Sequence, residues 1–222
     1  MAEPPHVLAP RDPHRAPRAK DSRGLPALSS DRLSGLSDTM FGVAMTLLAT
    51  TLVPQAEQLA GSTRVLLSAL AEPMSAVVLS FAVASIYWLS QQRRLSMIDG
   101  LSPRQTAMHL GFLFLIMLLP ISTGIFARHQ VAAAPVAIYG AHVTLLAAVN
   151  LALWIDVHRR FAVWQAIVPS LVAVIMLGTG FVIGLFRPWV AQYVWYGALA
   201  IPLVTGPLHR AFLRIRRIGA AD

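Results

Sequence analysis

The sequence predicts an all-α integral membrane protein with six transmembrane helices per subunit, and three observations lead there. Of 222 residues, 56% are hydrophobic and 13% are charged, whereas a soluble domain carries about 25% charged residues; mean hydropathy is +0.61. Six apolar segments, roughly 38–54, 66–90, 106–127, 134–155, 164–186 and 189–209, lie near the length of about 20 residues that a spanning helix requires. The basic residues alternate in step with those segments. Fifteen lie before the first segment, in the second and fourth connections (Arg93, Arg94, Arg104; Arg159, Arg160) and after the last, against Arg64, Arg128 and Arg187 on the other side. Positive charge is retained on the cytoplasmic side, so both termini are expected in the cytoplasm.

Residues 1–31 hold six prolines and scattered arginines, too little apolar surface to order a chain, and are expected to form a disordered, basic, Pro-rich cytoplasmic tail. The six-helix transmembrane domain then runs over 32–209, and 210–222 reads as a basic cytoplasmic C-terminal tail. The first span opens with Arg32-Leu33-Ser34-Gly35-Leu36-Ser37-Asp38. Ser34 and Ser37 are good helix caps and an acid is favoured in a first turn, so the helix is expected to start there. Asp38, an acid at the end of a span, calls for a partner; Arg32 or an arginine of the second connection is expected to supply it. Trp88, Trp154 and Trp164 fall at inner ends, and Trp189 and Trp195 near the outer start of the last span, as interfacial belts require. His109 and His142, inside the third and fourth spans, read as hydrogen-bonded structural residues. Asn150 and Gln192 read as interhelical hydrogen-bonding groups.

Several function classes are excluded. The chain has no cysteine, hence no disulfide framework, thiolate zinc site or thiol nucleophile. It carries no G-x-S-x-G elbow, H-E-x-x-H pair or phosphate loop, and neither enzyme activity nor a cofactor or metal is expected. The net charge of +8 sits beside apolar runs, where membrane orientation accounts for it better than nucleic acid does.

At about 100° per residue, Thr39, Val43, Thr46, Leu47 and Thr50 share a stripe about 100° wide on the first helix. Two readings stand side by side. The threonines are satisfied hydroxyls within a packed bundle, or several copies of the helix meet at an axis and alternate hydroxyl layers with apolar constrictions that gate by dewetting. No TVGYG-like carbonyl filter and no arginine-periodic voltage sensor is present.

Arg32-x-x-x-Leu36-Ser37-Asp38 resembles the R-x-x-x-F-S-D signature of the transmembrane protein 175 family, the lysosomal-type potassium channels and their bacterial homologues. Ser80-Phe81 with Tyr87-Trp88 is similar to that family's second helix, and Leu118-Leu119-Pro120-x-x-Thr123 to the end of its third. The resemblance implies a homotetramer in a bacterial plasma membrane. The first helix of each subunit would line a central pore permeable to potassium and other monovalent cations, with no carbonyl filter. It implies that Val43, Leu47 and Thr50 are hydrophobic-filter positions and Thr46 a selectivity layer. It also implies that Arg32, Leu36, Ser37, Asp38 and Trp88 belong to a signature network holding the first helix. Leu36 stands in place of the motif aromatic, Gln91 of a histidine and His109 of an asparagine. Thr50 stands in place of a bulky aliphatic, which leaves Leu47 as the tight ring. A secondary transporter, a proton-leak pathway and a non-conducting membrane interaction protein are the alternatives.

Overall fold

The computed structural model describes residues 28–52, 62–98, 100–159 and 163–199. The expected tails, apart from residues 28–31, lie outside the described residues. In chain order the elements are β1 (Leu28–Ser29), α1 (Ser30–Thr50), α2 (Thr63–Leu95), β2 (Gly100–Leu101), α3 (Pro103–Arg128), α4 (Ala133–His158) and α5 (Trp164–Phe186), followed by a helix over 188–199, α6. The first five helices are long and apolar enough to cross a membrane. The sixth span, expected over 189–209, is helical as far as the described residues extend.

α1 starts at Ser30, ahead of both expected caps, Ser34 and Ser37. Ser29 occupies the N-cap position in extended conformation without a side-chain cap bond, so Ser34 and Ser37 lie inside the helix and cap nothing. A non-local pairing sets this start. β1 runs antiparallel to β2, with Leu28 opposite Leu101 and Ser29 opposite Gly100, which fixes the entry of α1 beside the α2–α3 connection. Residues 28–31, assigned from the sequence to the tail, are therefore part of the fold. α3 has the clearest local start signal: Ser102 and Gln105 form a reciprocal capping box with Pro103 at the first helical position, each satisfying donors that a helix end leaves open.

The second connection is also shorter than expected. Arg93 and Arg94 lie in the last turn of α2, and Arg104 lies in the first turn of α3. Basic residues are favoured at a helix C-terminus by the macrodipole, so α2 can run through both arginines.

α1 packs on α2 and α3, α3 on α4, and α4 on α5. The stripe of α1 that is buried consists of Leu33, Ser37, Phe41, Ala44 and Leu48. Phe41 meets Phe112 at 6.4 Å between ring centroids, and Tyr87 meets Phe112 edge-on at 5.9 Å. A second aromatic centre ties α6 to the bundle. Tyr139 stacks on Phe126 at 4.7 Å, and Trp195 stands edge-on to both, at 5.6 Å and 5.2 Å. Trp195 is fully buried and its Nε1 donates to the Leu177 carbonyl at 3.3 Å. It is a core residue rather than the interfacial belt residue expected from its position in the sequence.

Two glycines make room for that indole. A Cβ on Gly140 would lie 2.8 Å from Trp195 Cζ2, and one on Gly180 would come closer still to the pyrrole edge of the same ring. Small residues at such contacts are how membrane helices approach one another without a hydrophobic driving force. Gly180→Ala is expected to displace Trp195 and destabilise the protein by about 1–3 kcal/mol. Gly111→Ala, where a Cβ meets nothing within 4 Å, is expected to be neutral or slightly stabilising. Thermal melts of the two variants in one detergent check the pair.

Candidate functional site

The buried stripe of α1 leaves its opposite side open, and the residues singled out from the helical wheel lie there. Thr39, Val43, Thr46, Leu47 and Thr50 are all exposed in the protomer, as are Arg32 and Leu36 below them. Val43 and Leu47 are 42% and 41% exposed, so among the described residues no helix of the chain fills this side of α1.

The threonine hydroxyls on that side donate to their own helix. Thr39 Oγ1 donates to the Gly35 carbonyl at 3.0 Å, and Thr46 Oγ1 to the carbonyls of Gly42 at 2.6 Å and Val43 at 3.0 Å. Thr50 Oγ1 donates to the Leu47 carbonyl at 2.7 Å. A hydroxyl has one hydrogen and two acceptor lone pairs. With the hydrogen engaged by the backbone, each oxygen presents only acceptor character outward, which suits a cation and not an anion.

At the N-terminal end of α1 the signature residues separate into two groups. Trp88 Nε1 donates to Asp38 Oδ1 at 2.8 Å, Gln92 Nε2 donates to the same oxygen, and Ser34 Oγ donates to Gln92 Oε1 at 3.0 Å. Ser34 and Asp38 are one turn apart on α1, and Trp88 and Gln92 one turn apart on α2, so the pairs meet as two turn-spaced rows. Ser37 is fully buried beside them, its hydroxyl without a partner among the described residues. Arg32 and Leu36 are exposed and stand apart from this contact.

Asp38 is therefore held by neutral N–H donors and not by the arginine expected from its charge. Six residues separate Arg32 from Asp38, which turns the two about 120° apart on the helix. Arg94 lies two residues beyond Gln92 and so points to the far side of α2.

There Arg94 is fully buried. Its Nη1 donates to Asn150 Oδ1 at 3.0 Å, its Nη2 donates to Gln91 Oε1, and the guanidinium lies 5.7 Å from the Phe112 ring centroid and 5.5 Å from that of Trp154. Gln91 Nε2 and His109 Nδ1 are 3.0 Å apart. Asn150 accepts from Ser90 at 3.0 Å and donates to Ser170 at 3.3 Å, while Trp154 Nε1 donates to Ser90 Oγ at 2.8 Å. The cluster joins α2 to α3, α4 and α5.

His142, the other intramembrane histidine, bonds Ser122 Oγ at 2.6 Å and the Leu115 carbonyl at 3.0 Å, next to the turn that Pro120 interrupts. Neighbouring side chains commonly re-satisfy backbone groups around such a proline. Among the described residues no group of three or more His, Cys, Asp or Glu is placed to hold a metal ion.

Gln92 was not foreseen from the sequence, Ser34 was expected to cap the helix and not to bond Gln92, and the burial of Arg94 was not foreseen either. The i, i+4 relation of Gln92 to Trp88 and of Ser34 to Asp38 was the available signal.

Residues 32–120 match the family model described as the endosomal/lysosomal potassium channel TMEM175. Over that stretch the chain is similar to the TMEM175 family. The matched stretch runs from the first residue of the signature through α1 and α2 to Pro120 in α3, and so contains both sides of the Asp38 contact. Among solved structures, the crystal structure of a lysosomal potassium-selective channel TMEM175 homolog from Chamaesiphon minutus shares the fold. It superposes with a TM-score of 0.72 at 21% sequence identity, over 79% of this chain and 97% of that one. No curated protein matches. Its five helices of spanning length and hydropathy make the chain a multi-pass membrane protein.

Asp38→Ala removes the acceptor of two N–H donors, whereas Asp38→Asn keeps an oxygen in place. The alanine variant is expected to lose about 1 kcal/mol more than the asparagine variant, the value of a typical net hydrogen bond. Arg94→Lys, which cannot present two parallel N–H groups to Asn150 and Gln91, is expected to lose about 1–3 kcal/mol. Melting temperatures in detergent test both expectations.

Proposed function

We propose that this protein is a member of the TMEM175 family and a potassium-permeable cation channel, a homotetramer whose central pore is lined by α1 of each subunit. One observation carries the reading. The side of α1 that the protomer leaves exposed alternates outward-facing threonine oxygens with branched aliphatics, and those oxygens have only lone pairs to offer.

Arranged around an axis, four copies of Val43 and Leu47 form apolar rings through which an ion passes only by shedding water. Potassium sheds water more easily than sodium, so a dry ring followed by the Thr46 oxygen layer favours potassium without a carbonyl filter. Thr50 contributes a further hydroxyl layer at the position where the family resemblance expects an aliphatic. The location we propose is a bacterial plasma membrane with both termini cytoplasmic, supported by the distribution of the basic residues.

In proteoliposomes or planar bilayers, Leu47→Ala is expected to widen and wet the constriction, raising conductance and lowering potassium over sodium discrimination. Thr46→Val, nearly isosteric, is expected to reduce potassium preference without raising conductance, and Thr50→Leu to lower the current. Reversal potentials under a potassium to sodium gradient read all three. Unchanged values for Leu47→Ala and Thr46→Val in conducting protein would remove α1 from the pore wall.

A further inference from the structure

We propose that Gln92 is a positioning residue for permeation. Its carboxamide fixes the rotation of α1 about its own axis, and with it which side chains face the conduction path. The inference rests on α1 being the pore wall and adds the residue that aims it.

α1 is held to its neighbours by two kinds of contact. The stripe Leu33, Phe41, Ala44 and Leu48 is apolar, and dispersion contacts of that kind tolerate small rotations because they have little directional preference. The directional contacts are few. Among the described residues, the hydrogen bonds that α1 makes to another helix end on Trp88 and Gln92.

Trp88 bonds α1 at one atom, Asp38 Oδ1, and a single bond acts as a pivot. Gln92 bonds α1 at two points one turn apart. Its Nε2 donates to Asp38 and its Oε1 accepts from Ser34. The two halves of the carboxamide match the two partners in polarity: a donor faces the carboxylate and an acceptor faces the hydroxyl. Two contacts along one edge of a helix suppress rotation as a single contact cannot.

The clamp also needs a fixed base, and the residues on either side of Gln92 supply it. Gln91 bonds His109 of α3, and the buried Arg94 bonds Asn150 of α4, which in turn reaches Ser170 of α5. The last turn of α2 is tied to three helices on one side while Gln92 reaches α1 on the other. The exposed stripe of α1 is only about 100° wide, with Thr46 and Leu47 at its two edges, so a rotation by a fraction of one residue step turns one of them toward the path and the other away from it.

The test uses the full-length protein with 15N-labelled indoles, the Trp88 resonance being identified by its absence in Trp88→Phe, together with reversal potentials from the same preparations. In Gln92→Leu the Trp88 N–H resonance is expected to move upfield as its bond to Asp38 lengthens, and the reversal potential to shift toward loss of potassium discrimination. Gln92→Glu places a carboxylate against Asp38 and should do both more strongly. Adding Asp38→Asn to Gln92→Glu restores a donor opposite an acceptor, and recovery of both readouts supports the proposal even where Gln92→Glu alone does not assemble.

Wild-type resonance and wild-type reversal potential in Gln92→Leu would overturn it, as would a shifted resonance with unchanged permeation. In the latter case Leu47→Ala separates the causes. If that variant alters permeation, only the role of Gln92 falls; if it too is silent, the pore reading falls with it.

Discussion

Asp38 Oδ1 accepts N–H bonds from Trp88 and Gln92, and this contact decides how α1 is presented to everything outside the chain. Lipid chains are as apolar as leucine, so membrane helices gain little by burying leucine against leucine; packing fit and a few hydrogen bonds select one arrangement. A carboxylate on a spanning helix narrows the choices further, because an ionisable group there needs partners inside the protein or at its wet end. The turn-spaced rows Ser34, Asp38 and Trp88, Gln92 meet that need. Once they are joined, Leu33, Phe41, Ala44 and Leu48 have to face the bundle, and the threonine stripe has to face away.

The Arg94 cluster stands behind that contact. Removing a guanidinium from water costs several kcal/mol unless hydrogen bonds and nearby polar or aromatic groups offset it. Here two amide oxygens and two ring faces take part. The arginine is placed at the last turn of α2, where the helix dipole also favours a cation. Gln91, Gln92 and Arg94 thus divide the work of one helical turn: two residues bind α2 to the body of the subunit, and one binds α1 to α2.

Much of the fold was legible in the sequence because the membrane imposes a length and a hydropathy that any span has to meet. Five spans lie within a few residues of their expected limits, the start of α1 apart. The stripe Thr39, Val43, Thr46, Leu47, Thr50 needed only a helical period to be recognised. What escaped depends on non-local contacts. The start of α1 follows from a pairing between residues 28–29 and 100–101, which no local cap signal reveals; Ser34 and Ser37 look like caps until that pairing moves the helix start. Arg94 reads as a loop charge until α2 extends through it. Trp195 has the position of a belt residue, and only the gap opposite Gly140 and Gly180 draws it into the core. Asp38 was expected to find an arginine because charge is visible in a sequence, whereas the amide and indole that bond it become visible only after two helices are placed side by side.

The central claim is that the exposed side of α1 is the wall of a cation path, and the absence of cysteine from the chain allows it to be read directly. Single cysteines introduced in turn along α1 would be exposed to silver ion, which is close to potassium in size, while potassium current is recorded. The account predicts rapid block at Val43, Thr46, Leu47 and Thr50 and none at Phe41, Ala44 and Leu48, a pattern with the period of one helical face. Block that is absent from the first set, or equal in the two sets, would contradict it.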